Sequence, residues 1–268
     1  MKLFLLLILF ASAAAAEMPA DYQSPGAPPP EGEPIRKYAI DDPGPGATNF
    51  GMAPVHDNKL YAFASADRLE YRWFDGGEAF LWDVQAWVGR DYNKVYFESE
   101  GEWSTEESKV EAAQIELLYA RALTTFWDVR AGVRFDPEPN PSRTFAVIGI
   151  QGLAPQWFET ELNAYLSEDG DFSMGAEVEY DFLITQRLIL QPRLELELAA
   201  QDVPEYGTEA GFTHIETGLR LRYEISRKFA PYIGVSYESA LGATANRIEA
   251  NGGDPDTTAF VAGIKGWF

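Results

Sequence analysis

The sequence contains no cysteine, only two histidines, and half as many basic as acidic side chains. Without cysteine there is no disulfide framework, no thiolate metal site and no thiol nucleophile. With only His56 and His214, imidazole chemistry is confined to two positions. The GxSxG, HExxH and CxxC signatures are absent, which removes the common hydrolase, zinc-protease and dithiol redox classes and argues against an enzyme. Long apolar runs are missing too. After the first residues nothing approaches the roughly 18 consecutive apolar positions that a membrane-spanning helix needs.

What is present begins with an export signature. Lys2, the apolar stretch Leu3 to Phe10 and the small residues Ala14-Ala15-Ala16 read as a signal peptide over residues 1–16, with cleavage before Glu17. Those residues hold one Lys and no acid, so the remainder carries 20 Lys+Arg against 42 Asp+Glu, a net charge of −22. That balance disfavours nucleic acid as a partner and favours cations. Residues 17–54 hold nine Pro and five Gly and few large apolar side chains. Such a segment cannot bury enough surface to offset its ordering entropy, and it reads as a disordered arm.

From residue 55 to 268 the pattern changes to strict alternation of apolar and polar residues in blocks of about ten. Leu188, Leu190, Leu194, Leu196 and Leu198 share one parity, and Gln191, Arg193, Glu195 and Glu197 the other. At helical spacing the leucines would scatter around the axis; at strand spacing they form one face. Pro192 interrupts this run and predicts a local bulge. Twelve such blocks can be counted, with short turns at one end and mostly longer polar loops at the other. Aromatic side chains such as Tyr92, Trp127, Trp157 and Phe182 cluster beside the short turns. The expectation is an all-β fold: a closed antiparallel transmembrane β-barrel of about 12 strands in a bacterial outer membrane, with outer-membrane lipid against its outside. A soluble sandwich would leave the closely spaced charges Arg220, Arg222 and Glu224 and the Trp267-Phe268 ending without a purpose.

Parity places many charges inside, among them Arg68, Glu70, Arg72, Glu98, Glu116, Arg130, Glu161, Glu177, Arg193, Glu195, Glu216 and Arg220. Acids outnumber bases there, so the interior should attract cations. Metal-ligand candidates are few. His214 and Glu216 project to the same side of one strand, and Met52 and His56 lie four apart just before the first strand. Imidazole with carboxylate suits Cu(II) or zinc, and thioether with imidazole suits Cu(I). Each of these residues also has a plainer reading as a rim or lumen group in a hydrogen-bond network.

The stretch Met52-Ala53-Pro54-Val55-His56-Asp57-Asn58, then Ala66-Asp67-Arg68-Leu69-Glu70-Tyr71-Arg72, resembles the start of the CopB/PcoB copper-resistance outer-membrane proteins. The runs Leu117 to Ala122, Gly218 to Ile225 and Lys228 to Val235 and the Trp267-Phe268 ending are similar as well, so the likeness covers about 52–268. The resemblance implies copper homeostasis: binding copper ions at the outer membrane, moving them across it, and meeting a periplasmic copper protein. It also carries Met52 and His56 over as ligands, whereas His214 and Glu216 rest on strand geometry. Family members often have a Met- and His-rich arm; here the arm offers only Met18 and Met52. Two other functions stay open at this point. One is a structural or general cation-permeable barrel without metal specificity. The other is a lipid-modifying enzyme, which would need its histidine on the lipid side, whereas His214 has inward parity.

Overall fold

The computed structural model describes residues 59–268. The expected signal peptide, the arm, Met52 and His56 lie outside the described residues. Thirteen strands follow one another: β1 (Tyr61–Phe74), β2 (Gly77–Gly89), β3 (Asn93–Ser104), β4 (Lys109–Ala122), β5 (Trp127–Glu138), β6 (Arg143–Ala154), β7 (Phe158–Ser167), β8 (Phe172–Glu179), β9 (Phe182–Leu183), β10 (Leu188–Ala199), β11 (Gly211–Tyr223), β12 (Phe229–Ala240) and β13 (Asp256–Trp267). Neighbours pair antiparallel, and β13 returns to β1 through pairs such as Trp73↔Phe260, which closes the sheet. Because β8 and β9 lie on β10 in one continuous register, they are two pieces of a single stave. The barrel therefore has the expected twelve staves.

The gap between β8 and β9 traces to Pro192. The expected bulge at this residue is not there, since Gln191↔Arg220, Pro192↔Leu219 and Arg193↔Gly218 run without a slip. Instead Tyr180 N–H donates to the Pro192 carbonyl at 3.2 Å, and proline has no N–H to return the bond. One missing ladder bond splits the eighth stave while its register survives. The real slips lie elsewhere. An extra residue, Asp67, sits between Ala66↔Val84 and Arg68↔Asp83, and Thr213 sits between Phe212↔Leu198 and His214↔Glu197. Each bulge switches the parity of its strand.

The alternation places apolar side chains outward and polar ones inward. Ile148 and Phe260 are 60% and 70% exposed on the outer face, whereas Glu70 and Arg130 inside are completely buried. An outer surface of this kind suits acyl chains rather than water. One rim carries short connections at 90–92, 123–126, 155–157, 184–187 and 224–228. The other rim was expected to carry mostly longer loops, yet its first four connections have only two to four residues. The two long ones, 200–210 and 241–255, pack together. Helix α1 (Gly242–Ala250) forms in the second, and its Arg247 holds Glu209 at 2.7 Å and the Pro204 carbonyl at 2.9 Å. Tyr206 reaches the β5–β6 connection, donating to the Pro141 carbonyl at 3.0 Å with Arg143 4.2 Å above its ring. These contacts carry the loop across part of the barrel mouth.

Candidate functional site: an acidic lumen beside an ion-paired plug

The charges that alternation turns inward meet across the barrel. Arg68 and Arg72 of β1, Arg193 of β10 and Arg220 of β11 converge on two buried carboxylates, Glu70 and Glu216. Arg220 clamps Glu70 with two bonds of 2.7 and 3.1 Å, and Arg72 adds a third at 3.1 Å. Glu216 lies 3.3 Å from Arg72, 3.3 Å from Arg193, 3.5 Å from Arg220 and 3.6 Å from Arg68, and accepts from Ser236. The outer shell of acids completes the network. Arg68 reaches Asp83 and Glu100, Arg72 reaches Glu102 and Glu238, and Arg193 reaches Glu177, Glu179 and Glu195. Ionised groups out of water persist only when each is paired, and here they fill the bore as a plug.

Beside this plug lies a cavity of about 480 Å³. Its lining runs from Thr125, Phe126 and Leu153 beside the short turns to Tyr165, Gly175 and Glu197 near the long-loop ends of β7, β8 and β10. Twelve carboxylates and only three basic side chains line it, so its field favours cations. Part of the reason is a row in the sheet register. Glu161, Glu177, Glu195, Glu216 and Glu238 stand opposite one another on five successive staves. Like charges directly opposed across strands repel, so such a row depends on counter-charges. Arg193 and Arg72 supply them at the plug end. Along the cavity as a whole the acids outnumber the bases.

The four residues singled out in the sequence do not form one site. Glu216 does face the lumen, but four guanidiniums and a serine hydroxyl surround it, which makes it a keystone of the plug rather than a free ligand. His214 faces inward opposite Glu197; Glu197 lines the cavity, and His214 does not. Met52 and His56 lie outside the described residues. Among the described residues no group of three or more His, Asp or Glu stands close enough to cage a metal.

Sequence parity passed over Asp67, Lys94, Gln114 and Lys265, all of which line the cavity. Lys265 pairs with Asp67 at 3.0 Å and Lys94 with Asp128 at 3.0 Å. Lys94 and Lys265 share the parity of their inward neighbours and were legible. Asp67 was not, because it is the bulged residue.

The family profile described as "Copper resistance protein B precursor (CopB)" matches residues 60–268, the whole barrel. "Copper resistance protein B" of Escherichia coli is 41% identical over 214 residues, covering 80% of this chain and 72% of that protein. "Copper resistance protein B homolog" of Pseudomonas syringae pv. tomato is 33% identical over 255 residues, covering 95% and 83%. Among solved structures, the NanC porin is 16% identical with a TM-score of 0.49, covering 77% of this chain and 99% of its own. The KdgM porin is 13% identical with a TM-score of 0.47, covering 76% and 99%. From the profile match and the two relatives, the chain belongs to the copper resistance protein B family.

Proposed function

We propose that this protein sits in the bacterial outer membrane and serves copper resistance by drawing copper ions from the periplasm into its acidic lumen. The observation that carries the reading is the cavity itself: twelve carboxylates against three bases, in a family tied to copper resistance. The apolar outer face meets lipid, and the short-turn rim faces the periplasm, where a periplasmic copper protein can deliver its cargo. His56 and Met52, just ahead of β1 in the sequence, are candidate ligands, and His214 is a candidate within the lumen wall. No catalytic step is part of this reading.

In a strain lacking the gene, the wild-type barrel should restore growth on copper. A variant with Glu195→Gln and Glu197→Gln should fold in the outer membrane and restore markedly less. Full restoration by that variant would remove the lumen from the account. A second reading, a cation-permeable barrel without metal specificity, is favoured by the all-oxygen character of the acids lining the cavity. Planar-bilayer currents carried by Na⁺ and K⁺ and indifferent to copper would promote it.

A further inference from the structure

One buried carboxylate in the cavity has no protein partner among the described residues. Glu116 of β4 is only 5% exposed, lines the cavity, and its Oε2 is buried without a hydrogen bond. No Lys or Arg lies within ion-pairing distance of it among the described residues. Its isolation has a structural cause. Arg134 stands directly opposite on β5 and would be the natural counter-charge. That guanidinium is turned away, bound at 2.7 and 2.9 Å to both oxygens of Asp136 and packed against the rings of Phe145 and Tyr165. The other nearby base, Arg130, is committed to Glu98 at 2.9 Å and to Glu161. Glu116 thus lacks a counter-charge of its own, because every neighbouring cation is already engaged.

Directly across β3–β4 from Glu116 stands Glu98. Opposed residues in a sheet have Cβ atoms about 4.5–5.5 Å apart, so the two carboxylates can share one ion. Glu98 gives only Oε1 to Arg130. Two like charges held opposite each other in a half-dry wall are stable only with a proton or a cation between them. We propose that Glu98 and Glu116 form a binding point for a divalent cation on the cavity wall, with Cu(II) held most tightly. This rests on the lumen reading given above and narrows it.

The donor chemistry sets the metal class. No histidine or methionine lines the cavity, so its ligands are oxygen. Carboxylate and water oxygens suit divalent ions rather than Cu(I), and among divalent first-row ions Cu(II) binds most strongly to such donors. With only two carboxylates from the wall, the ion keeps most of its water, which suits a cargo ion more than a resident one.

The test uses the barrel in detergent micelles, with folding checked by heat-modifiable migration. Glu116→Gln keeps the shape and removes the charge, so the barrel should fold. Cu(II) titrated into the wild type should give an electron paramagnetic resonance spectrum of an oxygen-ligated ion, with no nitrogen splitting. Its affinity should fall at least tenfold in Glu116→Gln and in Glu98→Gln, and Mn(II) should compete only weakly. Unchanged Cu(II) affinity in a folded Glu116→Gln would overturn the proposal. Loss of binding in His214→Ala with Glu116→Gln unaffected would overturn it while leaving copper uptake into the lumen standing. A wild-type barrel that takes up no copper in either oxidation state would remove both.

Discussion

The two halves of the lumen are built from the same residue types and differ in charge accounting. At the plug, each buried carboxylate meets guanidiniums from several staves, and Glu216 alone has four within 3.6 Å. On the cavity wall, one buried arginine, Arg130, serves Glu98 and Glu161 and leaves Glu116 unmatched. Matched charge fills the bore and makes it rigid. Unmatched charge leaves space and a demand for cations. The same alternation of residues therefore yields a plug on one side and a cup on the other, and the number of arginines per carboxylate decides which.

Three substitutions probe that contrast, each read by urea unfolding of the barrel in micelles. The largest effect belongs to the plug. Glu216→Ala leaves four guanidiniums facing one another without their shared acid, and should cost about 3–5 kcal/mol, the usual penalty for breaking a buried pair. A loss below about 1 kcal/mol would mean that the plug is not a unit. Arg130→Gln should cost less, about 1.5–3 kcal/mol, since it removes charge-assisted bonds to acids that are partly exposed to the cavity. Copper or another divalent ion should recover part of that loss by replacing the missing positive charge; no recovery would weaken the view of the cavity as a cation cup. Smallest is Glu197→Gln, an exposed cavity acid without an ion pair among the described residues. It should leave stability within about 0.5 kcal/mol. A cost comparable to Glu216→Ala would erase the distinction between the halves.

Much of the barrel was legible because strand parity has only two outcomes. The leucines of β10, the closing ladder to β13 and the inward placement of Arg68, Glu70, Glu98, Glu116, Arg193 and Arg220 all follow from it. Parity gives a face, however, and neither a height nor a position around the bore. Arg220 meets Glu70 from 150 residues away only because the sheet closes, so the plug could not be read locally. The same limit hid the fate of Glu216: its inward direction was evident, its four arginines were not. Asp67 escaped because its bulge breaks the alternation on which parity depends. The gap at Tyr180 and Asp181 shows the opposite case, where Pro192 announced a disturbance and only its form differed.

The central claim is that copper is held in the acidic cavity beside the arginine–glutamate plug. Anomalous diffraction at the copper edge, from crystals soaked in Cu(II), tests this most directly. The account predicts a peak inside the cavity beside Glu98 and Glu116. Copper found only on the outer loops or beyond the plug, with the cavity empty of it, would contradict the account.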